Sequence, residues 1–289
     1  MTEKFGRNYR VTIDPKDGKP PIVVTMPFTL RFSVQRSTLS DLNSCIVEIF
    51  NLSAANRSRI FQDYYDLTQN RTIILEAGYD TLYQVFVGRI FQAGSSREGT
   101  NIVTKIEARD GSYDISSSQV FTTLYNPGQT VSDVLKYLIG QFPTLKTGAV
   151  GDFSTPLQRG CVLNGNTWDL LKSYSANSAF IDNGKVFCLK DAEVLNNSIH
   201  VINDATGILD TPRRDQGSLW VDTLMETGVD LAQQLQIQST VQPIYNGTYK
   251  IIAIQHSGTI SEAVCGEARS SFQLLYANRF GTFQPVQSQ

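Results

Sequence analysis

The chain has 289 residues, of which 25 are basic and 27 acidic, and charged residues make up only 18%. That length supports two or three domains with a substantial core, and the near-cancelling charges lack the basic footprint of a nucleic-acid-binding protein. No run of ~18 apolar residues offers a transmembrane helix, and the polar stretch Met1 to Arg10 has no signal-peptide core. The expectation is a chain without membrane insertion, made in the cytoplasm and used there or carried out inside a larger assembly.

Residues 1 to 27 read as an extended lead-in. Asp14-Pro15-Lys16-Asp17-Gly18 is a turn sequence and Pro20-Pro21 disfavours helix. Val11 and Ile13, then Ile22 to Val24, make the two arms of an early hairpin. Phe28, Leu30, Phe32 and Val34 alternate with Thr29, Arg31, Ser33 and Gln35, so one strand face is apolar and the other wet. The next strand, Cys45 to Phe50, is apolar on both faces apart from Glu48, and predicts cover on both sides, from its own sheet and from a helix or another copy of the chain. On that expectation Asp at Val47 or Phe50 abolishes folding or assembly.

Ser53 is placed to cap a helix over Ala54 to Tyr64, with Ile60, Phe61 and Tyr64 on one face. Arg71 to Ala77 returns to strand, with Ile73, Leu75 and Ala77 on one side. Leu82 to Phe91 is another strand, with a bulge expected at Gly88. Gly94 to Gly99 reads as a polar turn, followed by an alternating strand from Ile102 to Arg109. At least five strands in about 110 residues predict a sandwich or barrel.

The pattern changes near Tyr125, after which Asn126-Pro127-Gly128 breaks the chain. Thr130 caps a predicted helix reaching Phe142, with Val131, Val134, Leu135, Leu138 and Ile139 as its apolar stripe. Gly165 to Ala179 predicts a second helix, capped by Thr167 and burying Trp168 and Leu171. Ala179 to Leu189 predicts a hairpin about Asp182-Asn183-Gly184, where Asn-Gly favours a type I′ turn. Asp204 to Arg214 is loop-like. Ser218 to Thr227 and Gln233 to Thr240 are predicted strands. Asn246-Gly247 is a second hairpin signal leading into Thr248 to Ser257. Gly258 to Cys265 connects to a closing strand, Cys265 to Leu275, and residues after Asn278 read as a tail.

Catalytic chemistry finds little to stand on. There is no HExxH, GxSxG or Walker A motif. Of the two histidines, His200 and His256, the second lies in a strand pattern and reads as a strand-end residue held by a backbone partner. Asp110-Gly111 and Asp182-Asn183-Gly184 are turn residues before they are acids. Arg213-Arg214 sits in a Pro-containing loop and reads as solvated. Cys45, Cys161, Cys188 and Cys265 are widely spaced, without a CxxC pair, and read as small buried apolar groups or free thiols. Asn-x-Ser/Thr triplets at Asn51, Asn56, Asn70, Asn196 and Asn246 carry no glycosylation meaning without a secretory route. No catalytic, cofactor-binding or metal-binding residue is assigned, and no cofactor. The high count of Phe and Tyr, 15 and 12, fits strand cores and subunit seams.

The order of five stretches resembles the baseplate hub proteins of contractile phage tails, the tail hub or late-control protein D-like family. They are Phe28 to Leu52 with the following Ser53; Leu75-Glu76-Ala77-Gly78-Tyr79 with Val87-Gly88-Arg89-Ile90; and Ile106-Glu107-Ala108-Arg109-Asp110-Gly111. Asn126-Pro127-Gly128-Gln129-Thr130-Val131 and the run from Asn246-Gly247-Thr248 to His256-Ser257-Gly258 complete the set. The resemblance implies a mainly β chain with an α+β insertion and two tube-type β-barrel domains. Its divisions are a first barrel over 1–120, a middle unit over 121–200 and a second barrel over 201–289. It further implies a homotrimeric ring that adapts a six-fold tail tube to a three-fold central spike. Implied partners are tube or tube-initiator proteins, the spike, and the wedge and tape measure proteins. Genomic DNA would pass through without specific binding, in a virion baseplate assembled in the host cytoplasm. The rivals are a tail-associated cell-wall hydrolase, a glycan- or receptor-binding β protein of the tail tip, and the hub of a bacterial secretion machine.

Overall fold

A computed structural model describes residues 6–64, 70–195, 199–215, 217–263, 266–276 and 282–287. The predicted early hairpin forms from β1 (Asn8–Asp14) and β2 (Ile22–Thr25), with Val11 opposite Val24 and Ile13 opposite Ile22. In β3 (Leu30–Ser37) the inward positions are Leu30, Phe32, Val34 and, continuing the same parity, Arg36. Phe28 lies ahead of the strand and is exposed. β4 (Ser44–Phe50) pairs with β3 and buries Cys45, Val47 and Ile49.

Its other face is partly exposed in the single chain, so no helix among the described residues supplies full cover there. Ile46 is 37% exposed, Phe50 is half-buried, and the Arg31 guanidinium sits 5.3 Å from the Phe50 ring centroid. The sheet turns one face to the core and one outward.

Ser53 caps α1 (Ala54–Ile60), accepting from the Asn56 N–H, but the helix is shorter than predicted. Gln62 leaves it to exchange backbone hydrogen bonds with Ala93, so Phe61 and Tyr64 are exposed and only Ile60 is buried. β5 (Thr72–Gly78) buries Ile73, Leu75 and Ala77. β6 runs unbroken from Leu82 to Glu98. Gly88 stays in register opposite Ile73, and the bulges fall beside it, near Val85 and between Ile90 and Gln92. Gly88 is instead demanded by packing, since a Cβ there would lie 2.6 Å from the Phe86 ring and 2.8 Å from the Arg109 carbonyl oxygen. Gly94 to Glu98, predicted as a turn, extends the ladder with β7 (Asn101–Arg109), and the chain reverses only at Gly99, φ 61°. A short helix, α2 (Ser112–Ser117), follows.

The middle stretch contains β8 (Gln119–Tyr125), α3 (Val131–Ile139), β9 (Lys146–Val150), β10 (Cys161–Asn166), α4 (Thr167–Tyr174), β11 (Ala179–Asp182) and β12 (Lys185–Cys188). Thr130 and Asp133 form a capping box on α3, which buries Val134, Leu135, Leu138 and Ile139. The helix ends three residues earlier than predicted. α4 is capped by Asn166, whose Oδ1 accepts from the N–H groups of Trp168 and Asp169; Thr167 is the buried first helical residue rather than the cap. Asn183 and Gly184 have φ of 50° and 73°, as the predicted type I′ turn between β11 and β12 requires.

The last stretch contains β13 (Glu193–Leu195), β14 (His200–Asn203), β15 (Arg213–Asp215), β16 (Ser218–Leu224), β17 (Gln234–Gln238), β18 (Gly247–Ile260), β19 (Ala268–Tyr276) and β20 (Gln284–Val286). Asn246 has φ −66°, so Asn246-Gly247 is not a tight turn. Its side chain instead closes the loop from 239 to 246, accepting from the Ser239 N–H at 2.7 Å and donating to the Ser239 carbonyl at 3.1 Å. Arg213 and Arg214 lie in a short strand rather than a loop. β18 runs beyond Ser257 to Ile260 and β19 starts at Ala268; Cys265 lies outside the described residues. The predicted tail carries β20, which pairs in parallel with β13.

Most strands join one sheet in the order β15-β16-β19-β18-β3-β4-β7-β6-β5-β1-β2, with β17 on β18 and β14 on β17. Among the described residues this path is open: no ladder closes it into a barrel. β18 joins the chain's two ends, pairing β17 through Gly247–Lys250 and β3 through Ala253–Ile260. Three apolar clusters lie against the sheet and helices. The first gathers β1 to β7 with Met225, Ile260 and Ala268. The second is centred on Trp168 and α3. The third gathers β16 to β19 with Phe180 and Phe187.

Candidate functional site

The most concentrated chemistry lies in a buried polar joint, where the β11–β12 hairpin meets the large sheet. The Arg36 side chain is 1% exposed. Its Nε donates to Asp182 Oδ1 at 2.8 Å, and one terminal nitrogen donates to Asp182 Oδ2 at 2.5 Å and to Asp230 Oδ1 at 2.9 Å. Asn43 Nδ2 donates to the Ile181 carbonyl at 2.8 Å and to Asp182 Oδ1 at 3.1 Å, while its Oδ1 accepts from the Ser37 N–H. Asp110 accepts from the Gly184 N–H, and its own N–H donates to the Asn43 carbonyl. Burial works against the Arg36 charge, but the two carboxylates more than offset it and keep the guanidinium ionised. Burial pushes Asp110 up to about 7, against the Gly184 N–H, with Asp182 and Asp114 adding to the rise. The turn residues Asp182 and Asp110 therefore fasten the β11–β12 hairpin to the end of the large sheet. Arg36, Asn43 and Asp230 were not singled out by sequence patterns; the available signal was the parity that places Arg36 on the face of Leu30, Phe32 and Val34.

His256 is fully buried in mid-strand, and its partner is a side chain rather than a backbone group. Nδ1 lies 2.8 Å from Ser270 Oγ, which accepts from the Glu226 N–H at 2.8 Å. Burial, with Arg36 nearby, pushes the imidazole down to about 3, so it stays neutral. His200 is 3.4 Å from a Glu226 carboxylate oxygen and is 37% exposed. Both histidines thus lie near residue 226, His200 at its carboxylate and His256 through Ser270. Cys45 and Cys188 are buried, with thiols pushed up by burial, in the case of Cys188 to about 12. Thiolate chemistry is disfavoured at both. Among the described residues no three His, Cys, Asp or Glu side chains are grouped as metal ligands.

The outward face of the sheet carries charges paired with near neighbours, either across strands or two residues along the chain. Arg31 pairs with Glu48 at 2.8 Å, Lys105 with Glu107 at 2.7 Å and Arg269 with Glu267 at 2.7 Å. Ser33, Ser257 and Thr259 stand between them, and a shallow concavity of about 370 Å³ opens among Arg31, Ile46, Glu48, Thr259, Glu267 and Arg269. Such a surface offers hydroxyls and paired ions.

A family model described as baseplate hub gp41 matches residues 9–259. The chain belongs to that family. It is a structural tail-hub protein of a bacteriophage baseplate, a virion component, and no helix among its described residues is long and apolar enough to cross a membrane. The hub fold is shared at very low sequence identity. A 43 kDa tail protein of prophage MuSo2 from Shewanella oneidensis is 8% identical, with a TM-score of 0.62 and coverage of 94% of this chain and 99% of that one. A tail protein from Neisseria meningitidis MC58 is 10% identical, with a TM-score of 0.63 and coverage of 97% and 99%. The E. coli c3393 protein, a type VI secretion component described as structurally similar to T4 tail proteins gp27 and gp5, is 9% identical, with a TM-score of 0.58 and coverage of 89% and 76%. No curated protein matches the sequence. The resemblance drawn from the five stretches is therefore correct at the level of family and of mainly β hub fold.

Proposed function

We propose that three copies of this hub protein form a ring on the tail axis, joining a six-fold tube to a three-fold spike around the DNA path. Each copy would contribute two curled β modules, one built on the first apolar cluster and one on the third, with the α+β unit of residues 121–200 as a spacer. The observation that carries this reading is the strand β18, which makes the N-terminal and C-terminal parts one continuous sheet. Two modules fused in this way keep a fixed relation, as a symmetry adaptor needs. The locally paired ions of the outward face suit a wall that DNA slides past, because unpaired cations would hold phosphates.

On this reading the chain has no catalytic task, and the tube, spike, wedge and tape measure proteins are its neighbours. Native mass spectrometry of the full chain, with image reconstruction of the assembled tail, tests it. The expected result is a trimer on the axis. A monomer in both settings, or turnover of peptidoglycan, refutes it.

A further inference from the structure

Two buried polar atoms on the inner face of the large sheet have no partner among the described residues: Arg36 Nη1, the terminal nitrogen that bonds neither Asp182 nor Asp230, and His256 Nε2. Both side chains are shut off from solvent. They are also neighbours. Along the β3–β18 ladder Arg36 stands opposite Ile254 and His256 opposite Val34, so the two occupy diagonal positions on one face. Diagonal partners lie about 7–8 Å apart, within reach of long and aromatic side chains. Asp182 engages Nε and Nη2, one edge of the guanidinium, and Asn43 ties that carboxylate to the Ser37 end of β3. His256 lies on the other side of Arg36, across from Val34.

Counting donors decides what can stand between them. Ser270 Oγ accepts from the Glu226 N–H at 2.8 Å, and its own hydrogen has two acceptors in reach, His256 Nδ1 at 2.8 Å and the Glu226 carbonyl at 3.4 Å. The shorter contact takes it. Burial, and after it the Arg36 charge, keeps the ring unprotonated. A neutral imidazole that accepts at Nδ1 carries its proton on Nε2. Nη1 and Nε2 are then both donors, cannot bond to each other, and need a shared acceptor. An anion suits the place poorly, because Asp182 and Asp230 already set two carboxylates against one guanidinium. We infer that one internal water molecule sits between Arg36 and His256, its oxygen accepting from Nη1–H and Nε2–H. Buried donors left bare are rare in folded proteins, and internal water is the usual remedy. Asp182 and Asp230, Arg36, the water, His256 and Ser270 then form one run of hydrogen bonds that crosses the β3–β18 ladder and ends on the Glu226 N–H. It follows the border between the first and third apolar clusters, since Val34 belongs to one and Ile254 and Phe272 to the other. The water would be held whether or not copies assemble into a ring.

Three measurements on the full chain test this. A crystal structure that shows ordered solvent should place one water within hydrogen-bond distance of both Nη1 and Nε2. Nitrogen NMR spectra of histidine-labelled protein should put the His256 proton on Nε2. Magnetic relaxation dispersion of the solvent deuterium counts long-lived internal waters, and that count should fall by one in His256→Phe, which keeps a ring of similar size but removes the donor. The first two measurements need no variant, so the outcome does not hang on how well His256→Phe folds. A proton on Nδ1 with Arg36 donating straight to Nε2 overturns the water site. So does a crystal structure with no density between the two atoms, or an unchanged water count in a folded His256→Phe. Bromide found at that place in crystals grown with a bromide salt would make it an anion site and overturn it as well.

Discussion

Replacing Arg36 with Met should reveal what the buried joint is worth. The substitution keeps most of the side-chain volume but removes three hydrogen bonds, two to Asp182 and one to Asp230. Asp230 is half exposed and can turn to water, but Asp182, at 5% side-chain exposure, cannot. It would keep neutral donors, the Asn43 amide and the Leu231 N–H, but no positive charge to balance its own. Removing one member of a buried ion pair costs about 3–5 kcal/mol. The size should depend on pH, because Asp182 can escape by taking a proton. Burial already favours its neutral form, and Arg36 is the main opposing influence. Without Arg36 the folded-state pKa rises further above the unfolded value, so stability is retained at low pH and lost as pH rises through the new value. Urea unfolding of Arg36→Met at pH 5 and pH 8 should therefore show a larger deficit at pH 8. Arg36→Met with Asp182→Leu should recover most of it, since an apolar pair of similar size replaces a buried ion pair at little cost. A deficit below about 1 kcal/mol, as found for surface pairs, or one independent of pH, would refute the view that this pair is dry and closely coupled.

Asp110 predicts a second pH signature. Its carboxyl is raised from 3.8 to about 7, so the folded state holds a proton that the unfolded state releases, and stability falls as pH rises across that window. The difference corresponds to about 4 kcal/mol, and Asp110→Asn should flatten the urea-midpoint profile between pH 4 and 7. Lys250 acts in a higher window. It is 3% exposed, donates to the Lys190 carbonyl at 2.8 Å and is pushed down to about 8 by burial. Stability should rise as pH goes from about 8 to 10.5, and Lys250→Met should abolish that rise in thermal melts. Val47→Asp should prevent folding, because Val47 is fully buried; soluble expression with a cooperative melt would contradict this. Phe50→Asp should give a folded chain with a melt within a few degrees of wild type, because Phe50 is only half-buried.

Much of the local structure was legible because local chemistry decides it. The alternation of Leu30, Phe32 and Val34, the Thr130 capping box and the Asn183-Gly184 turn each involve residues within a few positions of one another. The misreadings share a different origin. Gly94 to Glu98 has turn-like composition, yet it is strand because β7 pairs with it. Residues near 284 look like tail until β13, some ninety positions earlier, receives them. The outward face of β4 looked dry because Ile46 and Phe50 are apolar, and only the sheet's arrangement decides which face meets water. The joint was hidden for the same reason. Arg36 and Asp182 are 146 positions apart, and a charged residue in a strand is ordinarily taken as outward unless its parity is followed. The parity of Ile254 and His256 gave the same unused clue.

The long strand Gly247–Ile260 has hydrogen-bonded neighbours on both sides, β17 and β3 along one flank and β19 along the other. A slip of one residue would turn its side chains inside out against all of them together. The N-terminal and C-terminal parts of the sheet meet through the ladder between β3 and the Ala253–Ile260 half of this strand, while its Gly247–Lys250 half is held by β17. For a baseplate hub protein, that makes the join between its two halves a piece of sheet rather than a linker.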